Sequence, residues 1–231
     1  MKLITFTSGE NEAHVGVLVG DQVLDLTVWL GTKQAQPSFD MLDLIDMGEA
    51  GLRLVEHAVE SLQEDVDVAG ALVPFEGAHL LAPIPRPRKN VFCLGRNYAE
   101  HAKESTRAWG EDAPPPRPQY PAIFTKAPTS VIGPYDDIPY DPNVSTELDW
   151  EVELALIIGK RGKNITRAEA PGYIFGYTVL NDVSAREVQK RHGGQFFKGK
   201  SLDGTCPTGP WIVTADELGD PGDLQLWTRV N

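Results

Sequence analysis

Residues 149–159 read DWEVELALIIG. Side chains alternate along a strand with a period of two, so Glu151 and Glu153 share one face while Trp150, Val152 and Leu154 share the other. From Ala155 to Ile158 both parities are apolar, which predicts a strand buried on both sides with two carboxylates at its mouth. Same-face neighbours stand roughly 6.5–7 Å apart at Cα. Such a pair either shares a hard divalent cation or forms a solvated strand end with Asp149, and like charges this close repel when nothing lies between them. The choice turns on whether further ligands exist elsewhere in the chain.

Downstream, YIFGYTVLND (173–182) predicts a second buried strand that ends on Asp182. The segment SAREVQKRH (184–192) has helical pattern, and Ser184 with Glu187 forms S-x-x-E, the signature of a capping box. That leaves Asp182 less needed as a cap and makes it a candidate functional carboxylate. Upstream, GRNYAEHAKE (95–104) predicts a short helix with Asn97 as N-cap. His101 and Glu104 are three residues apart and share a face of it. A carboxylate beside an imidazole fixes its tautomer and raises its basicity, which prepares a general base; a solvated helix face is the alternative. Lys126 closes the predicted strand AIFTK, as a pocket cation or a snorkelling surface lysine.

GQFFKGKS (194–201) matches the phosphate-loop pattern letter for letter. Phosphate cradling needs a buried strand before the glycines and a helix after them. Here a polar helix precedes, and LDGTCPTGPW follows, so nucleotide binding is not expected. Lys200 stays a candidate partner for an oxyanion or a carboxylate. Cys93 and Cys206 have no zinc spacing and are expected to be structural. Ser184 and Ser201 lack the glycines of a nucleophile elbow.

The chain has 231 residues, with 21 basic and 33 acidic side chains and a net charge of −12. There is no basic stripe for a phosphate backbone, so nucleic acid is not an expected partner. An anionic substrate would have to meet a local cation. No apolar run approaches the ~20 residues that span a bilayer, and no signal peptide opens the sequence, so a soluble cytoplasmic protein without a membrane role is expected. Residues 1–80 read as a small N-terminal unit: two strands, MKLITF and HVGVLVGDQVLDL with a hairpin turn at Gly20-Asp21, then helix over FDMLDLIDMGEAGLRLVEHAVESLQE. After the proline-rich APIPRPRKN, residues 81–231 form a longer, strand-rich unit in which AIFTKA, VELALIIG, YIFGYTVLND, PWIVT and LQLWTRV are the expected strands. STRAWGEDAPPPRPQYP within it is expected to be a loop, with a polyproline ligand as the alternative.

The succession GRNYAEHAKE, FTKAPTSVIGP, ELDWEVELALIIGK, GYTVLNDVSARE and GKSLDGTCPTGPWIVT closely resembles the fumarylacetoacetate hydrolase superfamily over about residues 90–214. The resemblance implies an α+β, strand-rich fold: a mixed β-roll with a small N-terminal α/β domain. It implies Mg²⁺ or Mn²⁺ held by Glu151, Glu153 and Asp182. It makes His101 and Glu104 the water-activating pair and Lys200 the active-site lysine. Arg96, Tyr98, Lys126 and Arg186 fall where members contact substrate or brace the metal shell. Members normally continue beyond LQLWTRVN through further strands and a Gly-Thr-Pro loop, so the roll is expected to lack its usual C-terminal strands, or a partner completes the sheet.

The implied reaction is hydrolysis of a C–C bond in an acylpyruvate-type 2,4-dioxo acid, through an enolate that the metal stabilises. Oxaloacetate decarboxylation and hydroxymuconate-type isomerisation are alternatives on the same site, and an inactive metal-binding protein is the alternative outside catalysis. The expected partners are a small anionic 2-oxo acid and, by the family's habit, a second copy in a homodimer.

Overall fold

The computed structural model describes residues 1–7, 12–31, 39–63, 70–95 and 120–230. The predicted helix with Asn97, His101 and Glu104, the positions of Arg96 and Tyr98, and the proline-rich loop up to residue 119 all lie outside the described residues.

The fold is α+β and strand-rich. β1 (Lys2–Thr7), β2 (His14–Val19), β3 (Gln22–Asp25) and β4 (Leu72–Pro74) form an antiparallel meander. The turn between β2 and β3 falls at Gly20-Asp21 as expected, where Gly20 has φ +63°, a conformation that costs an L side chain steric strain. Helices α1 (Leu26–Gly31), α2 (Met41–Asp46) and α3 (Glu49–Gln63) pack against this meander. The predicted single helical stretch is thus split, because Gly48 takes φ +56° between α2 and α3. Asp40 and Asp43 supply the capping box that starts α2, each side chain accepting from the other's backbone N–H at 2.9 Å.

The meander continues into the longer unit without a break. β5 (His79–Leu80) pairs with β1, and β13 (Cys206–Thr214) pairs with β1 on its other part, then with β11 (Ile174–Asn181), which pairs with β10 (Val152–Ile158). β8 (Val131–Ile132) runs parallel to β13, which makes the nine-stranded sheet mixed. β6 (Val91–Gly95) and β7 (Ala122–Lys126) form a separate antiparallel ribbon, as do β9 (Leu148–Asp149) and β12 (Ser184–Ala185). Helices α4 (Arg186–Arg191) and α5 (Phe196–Lys200) follow β12, and α6 (Ala215–Leu218) follows β13. The main core joins Leu3, Leu24, Trp29 and Leu44 to Phe175 and Ile212, so residues from both sequence units bury one another.

Three expectations are corrected. β10 is not buried on both sides: it lies at the end of the sheet, and Leu156 and Ile158 are 49% and 61% exposed. Leu224–Val230, after the turn at Pro221–Asp223, forms no strand: it pairs with no ladder among the described residues, and Trp227 is 79% exposed. The capping box at Ser184 does not form. Ser184 is in β12, its hydroxyl donates to the Asp182 carbonyl at 3.0 Å, and Glu187 instead accepts from the Thr146 N–H at 2.6 Å. The helix therefore starts later, at Arg186, with Ala185 as its N-cap.

Candidate active site

The first strand pair sets two carboxylates side by side. Val152 of β10 opposes Asn181 of β11, so Glu151 and Asp182 are carried past the ends of neighbouring strands, and the Asp182 N–H donates to the Glu151 carbonyl at 2.8 Å. Both side chains are nearly or fully buried, with 9% and 3% of their surface exposed. Carboxylates in such surroundings survive only when paired. Lys200 supplies the pairing: its Nζ lies 2.6 Å from Glu151 Oε2 and 2.7 Å from Asp182 Oδ2. Its ammonium also lies 5.1 Å from the centre of the Phe124 ring, on which Phe196 packs.

Lys126 reaches the same aspartate from behind. It is fully buried, its Nζ stands 3.0 Å from Asp182 Oδ1, and it donates to the carbonyls of Val183 at 3.1 Å and of Lys200. The reading as a snorkelling surface lysine is thereby corrected. The contact to Asp182 Oδ1 is an ion pair without hydrogen-bond alignment, which leaves that buried oxygen with no hydrogen bond.

Arg186, the first residue of α4, closes the other side. Its Nε and Nη2 donate to Asp149 Oδ2 at 2.8 and 2.6 Å, and Nη2 also to Glu151 Oε1 at 2.5 Å. Burial alone would push the Glu151 carboxyl up, but the Lys200 ammonium and the Arg186 guanidinium outweigh it and hold Glu151 below its ordinary range. Burial would likewise lower the Arg186 guanidinium; Glu151 and Asp149 overcome this and raise it.

Glu151, Asp182, Arg186 and Lys200 line a cleft of about 1280 Å³, and Glu153 lines it as well, whereas Lys126 lies behind it. Leu154 to Ile158, of both parities, line it too, so the cleft does not distinguish the two faces of the strand. Among the described residues no three acidic, imidazole or thiol groups stand close enough together to hold a metal ion. The donor chemistry nevertheless fits a hard cation: two carboxylates already converge on one positive centre, Lys200 Nζ, and Asp182 Oδ1 is a buried acceptor without a hydrogen bond.

Sequence reasoning missed Gln189. It is 2% exposed, lines the cleft, and its Nε2 has no hydrogen-bond partner among the described residues, while Arg186 Nη1 approaches its Oε1 at 3.5 Å. An unpaired buried amide N–H is costly, and it is a donor ready for an incoming oxygen. The available signal was its spacing of three from Arg186 on one helix. Gly199 lets α5 lie against α4, since a Cβ there would sit 2.8 Å from the Ala185 carbonyl. The GQFFKGKS match is occupied by α5 itself, with α4 rather than a strand before it, as expected for a segment that is no phosphate loop. Cys93 and Cys206 form no disulfide among the described residues; Cys206 is buried and Cys93 half-buried at the cleft, and burial pushes the Cys93 thiol up to about 12, with Asp182 adding to the rise.

A strand-rich α+β fold that opens a large cleft onto a buried lysine–carboxylate cluster has the features that mark a functional site. The chain belongs to the fumarylacetoacetate hydrolase family: the model of that family's C-terminal region matches residues 90–231. It is 38% identical over 237 residues to oxaloacetate tautomerase YisK of Bacillus subtilis, covering 98% of this chain and 75% of the relative. Among solved structures it is similar to the fumarylacetoacetate hydrolase of Exiguobacterium antarcticum, with TM-score 0.69, 37% identity, and 96% of this chain and 69% of that one covered. It is also similar to maleylpyruvate hydrolase from Sphingobium sp. SYK-6 in complex with manganese(II) and pyruvate, with TM-score 0.67, 32% identity, and coverage of 96% and 70%. The fold and the family are those that the motifs implied. Among the described residues no helix is long and apolar enough to cross a membrane.

Proposed function

We propose that the protein is a divalent-metal-dependent enzyme that moves a proton on a small enolisable 2-oxo dicarboxylate, with keto–enol tautomerisation of oxaloacetate as its first activity. The observation that carries the reading is the Lys200 ammonium, held between Glu151 and Asp182 at the wall of the cleft. Interconverting keto and enol forms requires one proton to leave carbon and one to arrive on oxygen. In the enol-to-keto direction the Lys200 ammonium is placed to give a proton to carbon and then to take back the one that leaves the enol oxygen, with the Gln189 amide donating to the oxygen on which charge develops. Glu151, Glu153 and Asp182 would hold Mg²⁺ or Mn²⁺, which when bound supplies charge stabilisation for the enolate. The tautomerase name of the Bacillus subtilis relative supports this choice.

The test is the decay of the enol absorbance of oxaloacetate with Mn²⁺ or Mg²⁺ and then with chelator. Metal-dependent acceleration is expected; none with either metal would overturn the reading.

The similarity to a maleylpyruvate hydrolase favours a second reading, C–C hydrolysis of an acylpyruvate-type 2,4-dioxo acid. It requires His101 and Glu104 as a water-activating pair, with Arg96 and Tyr98 at the substrate. Release of pyruvate from a short acylpyruvate that His101→Ala abolishes would select it, whereas tautomerisation should survive that change. In either reading the working form is a homodimer, and light scattering measures it.

A further inference from the structure

Lys126 is an unusual object: a fully buried lysine whose ammonium is surrounded by protein oxygens. An ammonium has three N–H donors. Three oxygens face this one: Asp182 Oδ1 at 3.0 Å, the Val183 carbonyl at 3.1 Å and the Lys200 carbonyl. The two carbonyls accept hydrogen bonds and the carboxylate is an ion pair; with no exposed surface and no place in the lining of the cleft, Lys126 has no face for a ligand. Lys200, the other cation on Asp182, is different in kind, because both its contacts are to side chains at the cleft.

The two lysines therefore divide one carboxylate between them, each with its own oxygen. When Lys200 turns toward a substrate it leaves Asp182 Oδ2 and Glu151 Oε2 behind. An abandoned buried carboxylate would be costly. With Lys126 fixed on the opposite oxygen, Asp182 keeps a counter-charge throughout. The same ammonium ties the backbone of residues 183 and 200, so the strand end that carries Asp182 and the helix end that carries Lys200 hang on one atom.

We infer that Lys126 is a positioning residue and not a substrate contact: it holds Asp182 and the Lys200 main chain in place and leaves the Lys200 side chain free to work. The kinetic consequence rests on the proposed tautomerase activity; the structural consequence does not. A substitution here acts through other groups, so it should lower kcat at constant KM. Partners placed behind metal ligands typically matter by about 10- to 100-fold in affinity or activity.

The experiment compares the wild type with Lys126→Met, which keeps the stem and removes the charge, and with Lys126→Arg, which keeps the charge. Each is measured for a cooperative melt, for kcat and KM on oxaloacetate with Mn²⁺, for Mn²⁺ affinity by electron paramagnetic resonance, and for hydrogen exchange of peptides covering 182–201. For Lys126→Met the expected result is a folded protein with kcat lowered about 10- to 100-fold, KM unchanged and Mn²⁺ held more weakly. Exchange should quicken at 182–201 and not in β1–β3, and Lys126→Arg should recover part of kcat. A raised KM with kcat kept would make Lys126 a substrate contact and overturn the inference. So would unchanged kcat, KM and exchange. Should the wild type itself turn over no oxaloacetate, the function proposal falls, and the exchange comparison decides alone: unaltered protection at 182–201 overturns the positioning role.

Discussion

The two ends of the nine-stranded sheet are buried by opposite means. At the β1–β4 end, Leu3, Leu24, Leu26 and Leu44 are fully buried among other apolar side chains, and the favourable term is area removed from water. At the β10–β11 end, Glu151, Asp182, Lys126 and Lys200 are buried with charges on them, and each is kept there by an opposite charge. The first arrangement stores stability. The second is a weak source of it, because desolvation consumes most of what the pairing returns. It is better explained as a device for presenting charge to a cleft.

The contrast can be broken most sharply at Asp182. Asp182→Asn leaves Lys126 buried with no carboxylate partner and Lys200 with Glu151 alone, and removing one partner of a buried pair costs about 3 to 5 kcal/mol. A large fall in melting temperature and loss of turnover are expected; a stable, active variant would show that the cluster is not organised around Asp182. At the other end, Leu44→Ala should cost about 2 to 5 kcal/mol through lost transfer energy and the cavity left behind. Its activity per folded molecule should stay at the wild-type level, as denaturant melts and rate measurements on the same sample will show. If both substitutions lowered specific activity equally, the two ends would not be separate in role. Smallest is Arg88→Ala, which removes a pair to Asp46 whose partners are 56% and 58% exposed. Exposed pairs contribute little, so the melting temperature should not move, and a marked drop would mean that this arm braces the cleft.

Much of this division was legible in the sequence, though for unequal reasons. The hairpin at Gly20-Asp21 and strands β7, β10, β11 and β13 follow from local periodicity and turn chemistry, which act over a few residues. That Glu151 and Glu153 share a face is an expectation from parity; both line the cleft, and so do residues of the other parity. Convergence of Asp182 and Lys200 on Glu151 spans 31 and 49 residues of sequence, and only the order of motifs made it visible. Where the reading failed, a distant partner had intervened. Glu187 looks like the far half of a capping box, yet it accepts from Thr146, 41 residues away. Leu156 and Ile158 look like core because they are apolar, but the sheet ends at their strand. For Lys126 the sequence left a pocket cation and a surface lysine both open, and only the three oxygens around its ammonium decide against the surface.

The most direct measurement is the rate of oxaloacetate tautomerisation by Lys200→Met beside the wild type, both loaded with Mn²⁺ and both shown to be folded. A positioned proton-transfer group contributes about 10² to 10⁴ in rate, so a loss of that order with oxaloacetate still bound is expected. Wild-type turnover by Lys200→Met would contradict the claim that the lysine held between Glu151 and Asp182 does the chemistry.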